Sequence, residues 1–385
     1  MASKHPQPYG PPALQFPVII AAPVSTRIYA RDEGDTWAAT IEQTNSGTYD
    51  SLKLKRISFY LGTSSIHGSP MGFGFDGSLI IPRDQELGSA DDAVDSFNKV
   101  MASLLIGGIP VEQVSASDLA FGVLGATGYY RYHQPLGPSA LLRQAFGEGA
   151  AGSMLAIDLI NPPTFHRVEV EKAFERGQPV LDALPSLRPE FLLMSFSYYR
   201  NAEYRNALIY GWLVVEQLID ISWNFLFLDA MNNSMRQARE SSLKHVARNV
   251  SGKIEFLVQS DLLERSMYLH IQKARKARNE LIHSGAAPSR NDVYFCLRSV
   301  AHLVATICRA KAVAFEPSIL LTTIAKRRSK SSQVSGVTSN PDWSKPGFWR
   351  PIKPIPGEVH FSGDYEQIRD ICLSPVYRED KSISD

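Results

Sequence analysis

The sequence predicts an α+β protein: a strand-rich mixed domain over residues 1–180, an all-α helical bundle over 185–315 and a short irregular C-terminal tail. Three patterns carry this prediction. Up to about residue 180, short β-type runs are separated by Gly, Pro and Asn turn signals. From there to about residue 315, apolar residues recur at i, i+3, i+4 and i+7, the period of an amphipathic helix. Residues 326–340, KRRSKSSQVSGVTSN, carry no apolar period at all, the composition of a solvated, flexible linker.

In the first domain, residues 18–22, 36–43, 51–61 and 79–81 read as strands, with 154–159 a further candidate. One helix is expected to interrupt them over 91–106, where Ala93, Val94, Phe97, Val100, Met101 and Leu104 keep helical spacing and Gly107-Gly108 closes the run. The segment MGFGFDG at 71–77 is rich in glycine but lacks the Lys-Ser or Lys-Thr of a phosphate loop, so it reads as a tight turn or bulge. Prolines between 179 and 189 mark a boundary. Four helices are expected beyond it, over 207–228, 243–257, 262–283 and 292–313. In the first of them Leu208, Trp212, Val215, Ile219 and Trp223 share a face, which makes both tryptophans core anchors, with Glu216 at the rim. The tail 341–385 contains Trp343, Phe348 and Trp349 and is expected to pack back on a domain.

At about 150 residues per domain, 385 residues imply two or three domains. Apolar content of 44% and charged content of 21% argue against a disordered or fibrous chain. No apolar run approaches the roughly 18 residues that cross a bilayer, and residues 1–12 lack the basic-then-apolar order of a signal peptide. A cytoplasmic protein without a membrane helix is therefore expected. Cys296, Cys308 and Cys372 have neither pairing nor zinc spacing, and His67, His133 and His166 are scattered. No metal and no cofactor are expected. Charge is unevenly spread: residues 184–315 carry 17 Lys and Arg against 11 Asp and Glu, whereas residues 1–183 carry 13 against 19. The basic part suits a phosphate-bearing partner, although solvated helix faces carry such a surplus too.

One constellation in the basic part looks like chemistry. On a helix over 262–283, Leu263, Met267, Ile271, Ala274 and Leu281 line up as a buried stripe, and Arg278 falls in its middle. A buried guanidinium is costly unless an anion or acceptor meets it, so Arg278 needs a protein partner or an anionic ligand. Asn279 and His283, four apart, share an adjacent face. His283 is in the last turn, where the helix dipole favours a cation, and Gly285 with Pro288 stops the helix. The same residues also read as a satisfied core arginine beside a C-capping histidine.

The helical region resembles the ApeA-like HEPN family, small helical domains of nucleic-acid processing and phage defence. Arg278-Asn279-Glu280-Leu281-Ile282-His283 is similar to that family's arginine, four to six residues, histidine signature, with the frequent asparagine after the arginine. The segment 207–218, with Trp212 and Glu216, looks like its earlier core helix, and 253–257 and 274–279 follow in the expected order. The resemblance covers roughly residues 190–315, a third of the chain. It implies metal-independent RNA cleavage where two copies of the bundle face each other, in a homodimer or larger homo-oligomer. His283 would exchange the proton, Arg278 would clamp the phosphoryl oxygens and Asn279 would orient the phosphate or the histidine. Glu216 would either hold Arg278 in its rotamer or form a rim salt bridge. Lys273, Arg275 and Lys276 would either track the RNA backbone or simply be solvated. Residues 1–180 would sense an unknown trigger. Two competing readings stand beside this one: a non-catalytic dimerisation or nucleotide-binding module, and an enzyme housed in residues 1–180, where no triad or metal set supports it.

Overall fold

The protein is described here from a computed structural model, which describes residues 15–21, 29–31, 55–61, 71–74, 77–83, 89–126, 128–138, 140–141, 164–228, 233–243 and 248–324. The expected strands at 36–43 and 154–159, the linker at 326–340 and the tail at 341–385 lie outside these residues. The α+β layout is as expected: strands dominate the first part and helices the second.

The strands are β1 (Gln15–Ala21), β2 (Tyr29–Arg31), β3 (Ile57–Leu61), β4 (Met71–Gly74), β5 (Leu79–Pro82), β6 (Leu119–Gly125), β7 (Tyr130–Pro135) and β8 (Thr164–His166). Six of them form an antiparallel sheet of order β3-β4-β5-β1-β6-β7, while β2 and β8 pair in parallel. The central strand β1 shows why the register holds: Ile19 and Ala21 face one buried cluster, whereas Val18 and Ile20 face another. A slip of one residue would exchange the two sets. Within the MGFGFDG segment, Met71–Gly74 form β4, and Gly77, at φ 85°, donates its N–H to the Gly74 carbonyl.

The helix expected at 91–106 is α1 (Ala90–Ile106), started by a reciprocal cap between Ser89 and Asp92. It ends where Gly108 takes φ 102°. A second helix, α2 (Arg167–Asp182), was not expected. It contains Pro179, read as part of a boundary, which falls in its last turn, and Gly177, which is a packing contact. The α1 and α2 backbones touch at two points. A Cβ on Gly177 would lie 1.8 Å from the Ser103 carbonyl oxygen, and one on Gly107 would lie 1.9 Å from that of Ala173.

The remaining helices are α3 (Pro189–Arg200), α4 (Tyr204–Ser222) running into a π-helical turn (Trp223–Leu228), α5 (Asn233–Ser242), α6 (Val250–Gln259), α7 (Arg265–Ser284), α8 (Arg290–Ala310) and α9 (Pro317–Thr322). Trp212 and Trp223 are both buried, as expected of core anchors. Helix α8 is long and apolar enough to cross a membrane by composition, yet most of that window is buried inside the bundle. Cys296 and Cys308 are also inside it, and burial pushes their thiols up to about 12 and about 11 respectively.

A single buried cluster runs from Ile19 and Phe73 in the sheet through Phe97 and Leu104 to Phe196, Trp212 and Val300 in the helices. It continues across the 179–189 segment, where the sequence implied a boundary. Polar ties reinforce it. Asn98 donates to the Val114 carbonyl and accepts from its N–H, at 2.9 and 2.8 Å, fixing the loop after α1. Arg176 and Arg200 reach the Gly107 and Val111 carbonyls from α2 and α3. Burial holds the Arg200 guanidinium down to about 10, with Glu112 opposing the shift. Replacing Asn98 by Ala strands both Val114 groups in the core, and a loss of about 1–3 kcal/mol in urea unfolding is expected. A loss near zero would show that the loop is held by other contacts.

Candidate functional site

Helix α7 positions the predicted site. Its buried residues are Met267, Ile271, Ala274 and Ala277, spaced by three and four, and they seat it against α4 and α8. By azimuth Arg278 falls within this stripe, about 20° from both Met267 and Ile271. It is nevertheless only half-buried, whereas Ala277 just before it is buried. The end of α7 overhangs its neighbours: Ile282 has nearly the azimuth of the fully buried Ile271 but is 53% exposed. Gly285, at φ 70°, donates its N–H to the Leu281 carbonyl and ends the helix as expected.

At this overhang the Arg278 guanidinium donates to the Asn279 amide oxygen at 3.2 Å. Among the described residues it forms no ion pair. Glu216 was expected near it, but its carboxylate instead accepts the Trp212 indole N–H one turn earlier on α4, at 2.5 Å. That is the better local match, since a buried indole needs an acceptor. Asn279 and His283 are both exposed and sit one turn apart on the same face. Arg278 and His283 do not share it. Five residues of α-helix turn through about 500°, leaving the two side chains about 140° apart. Asn279 lies between them, bonded to one and on the face of the other.

The three basic candidates also separate. Lys273 lies 4.3 Å over the Phe295 ring of α8, Arg275 bonds the Ser251 hydroxyl of α6, and Lys276 pairs at 3.9 Å with Glu280 on the outer face. Lys273 and Arg275 are thus on opposite flanks of α7 and form no single row. Among the described residues no group of three His, Cys, Asp or Glu gathers where a metal ion could be held.

The sequence reading passed over the α8 flank. There His270 stacks on Phe295, with ring centroids 5.1 Å apart and planes 17° apart. Burial lowers its protonation, and the charges of Arg298, Lys273 and His302 lower it further. His302 is depressed in the same way, by burial and then by Arg298, with Glu264 opposing. Beside them a cleft of about 450 Å³ is lined by Glu264, Met267, His302, Thr306, Arg309 and Phe315. The signal was available: Phe295, Arg298, His302 and Arg309 are spaced by three, four and seven, one face of a helix.

Both histidines have folded values below their ordinary 6.5. The unfolded chain then binds protons more readily, so the stability they contribute is complete above 6.5 and is lost as the pH falls through the folded values. Melting temperatures followed between roughly pH 5 and pH 8 should fall on the acid side, and should fall less in a His270→Gln, His302→Gln double variant. Identical acid limbs would count against the uncompensated positive charge described for this flank.

No protein-family model, no curated protein and no solved structure matches this chain. The resemblance to HEPN domains therefore rests on the α7 motif and its helical setting alone.

Proposed function

We propose that the protein is a metal-independent endoribonuclease of the HEPN type, acting as a homodimer through its helical bundle, with the sheet region regulating it. A cytoplasmic effector role in phage defence, or a toxin-like one, accompanies that reading by resemblance to the family. The observation that carries the proposal is the state of Arg278: its guanidinium meets an amide rather than a carboxylate, so its charge is free for a phosphate, beside an exposed asparagine and histidine.

The chemistry asks little of the protein. The 2′-hydroxyl of RNA attacks the adjacent phosphorus, the bond from phosphorus to the 5′-oxygen breaks, and a 2′,3′-cyclic phosphate and a 5′-hydroxyl result. His283 accepts the proton of the 2′-hydroxyl or supplies one to the leaving oxygen. Arg278 grips the non-bridging oxygens as charge builds on them. Since the two residues diverge on one helix, the site is composite: the Arg278 of one copy works opposite the His283 of the other. The exposed Ile282 beside them gives a second copy apolar surface to cover.

Cleavage of single-stranded RNA in the presence of EDTA tests this, with His283→Ala and Arg278→Ala compared to the parent. Cleavage that survives both substitutions sinks it. The divergence of about 140° also favours a second reading, a non-catalytic module in which Arg278 holds an anionic ligand. Under that reading RNA or nucleotide is bound and recovered uncut.

A further inference from the structure

We propose that the groove between α7 and α8 is the track on which single-stranded RNA lies, its phosphodiester backbone held by Lys273, Arg298 and Arg309 and one base resting on His270. The ribonuclease reading supplies the identity of the polymer and so underlies this assignment. The groove itself is read from different residues, none of them in the Arg278–His283 motif.

The two helices run antiparallel, so that Met267 and Glu264 of α7 meet His302, Thr306 and Arg309 of α8, and His270 and Lys273 meet Phe295. The cations are thereby collected on one side. Among the described residues, Lys273, Arg298 and Arg309 make no ion pair, and Glu264 is the one carboxylate at the cleft. The depressed protonation of His270 and His302 follows in part from that uncancelled charge. An added polyanion would relieve the repulsion, which is the electrostatic condition for a binding surface rather than a solvated one.

Two features favour a nucleic acid over an acidic protein. The half-exposed His270 ring is braced flat against Phe295, giving a planar platform of the kind on which bases stack. The charges are also strung lengthwise rather than clustered. Along α8, Phe295 and Arg309 are about 21 Å apart at the rise of an α-helix, a span of about six stacked nucleotides at ~3.4 Å each. It leads along α7 from the cleft at the N-terminal end toward the motif at the other. Of the three cations named from sequence, Lys273 belongs to this track, whereas Arg275 and Lys276 are turned away from it.

The test is fluorescence anisotropy of the full chain with a labelled oligouridine whose 2′-hydroxyls are methylated, which can be bound but not cut. Arg298→Glu and Arg309→Glu should each weaken binding about tenfold or more and lower the slope of log affinity against log salt by about one to two. Arg131→Glu on β7 makes the same charge change away from the groove and should shift affinity less than twofold. Arg298→Gln, with a milder loss, guards against misfolding of the charge reversal. Tight binding that ignores salt, groove variants with unchanged affinity, or equal competition by a polyglutamate peptide overturns the track. Salt-sensitive binding lost on Arg298→Glu, in a parent protein that never cuts RNA, upholds the track and removes the nuclease. Cleavage with no effect of groove variants on binding does the reverse.

Discussion

Replacing His283 by Ala should lower the rate of RNA cleavage in EDTA by about 10²–10⁴-fold, the usual contribution of one positioned proton-transfer group. The melting temperature should hardly move, because His283 is exposed and ends a helix whose buried residues are elsewhere. Arg278→Ala should cost a comparable factor through the lost clamp on the phosphoryl oxygens, about 10²–10³-fold. Arg278→Lys should recover only part of it, since an ammonium cannot present a planar fork. Asn279→Ala should be milder: it frees the guanidinium from the amide it is bonded to without removing the charge. If, as proposed, the two reacting groups act from different copies, inactive Arg278→Ala and His283→Ala proteins mixed and allowed to exchange subunits should regain activity. Wild-type rates in either single variant, at equal folding, remove the motif from the chemistry. Inactive singles that stay inactive when mixed place both groups in one copy.

The second large effect is on folding. Gly177→Ala should destabilise the protein by about 3 kcal/mol, because its new Cβ would be driven onto the Ser103 carbonyl, a backbone atom that cannot rotate aside. To make room α1 must lift from α2, and α1 carries Phe97, Val100 and Leu104 of the shared core. Gly107→Ala meets the Ala173 carbonyl in the same crossing and should cost a similar amount. The double variant should cost clearly less than the two together, since one separation of the helices relieves both clashes. Urea unfolding of the four proteins gives the answer. A Gly177→Ala protein within about 0.5 kcal/mol of the parent, as a neutral surface change would be, rules out the close crossing.

Helix limits were readable where the chemistry is local. The stop at Gly285 follows from its lack of a Cβ, and Asp292 was placed near the start of α8, where Ser289 and Asp292 cap each other. Elements whose existence depends on distant packing were not. Gly177 and Pro179 lie inside a helix that α1 packs against, and β6 is held by β1 from about a hundred residues away, with β7 paired on β6. The π-helical turn after Ser222 keeps helical spacing closely enough that it read as plain helix. At the site, periodicity gave the azimuth of Arg278 on the apolar stripe. It could not give how far the covering helices extend, and so missed that the last turn of α7 stands clear of them. Nor does a carboxylate reveal its partner in advance: Glu216 is taken by Trp212 four residues back, before any arginine across the bundle can compete.

The unbroken core beneath sheet and helices bears on how loss-of-function screens should be interpreted. A damaging change at Phe73 or Ile81 loosens the same packed interior that fixes α4, and α4 is what α7 rests on. Random variants that silence the protein will therefore scatter over both halves of the chain, and position alone will not separate those that perturb recognition or chemistry from those that lower the amount of folded material.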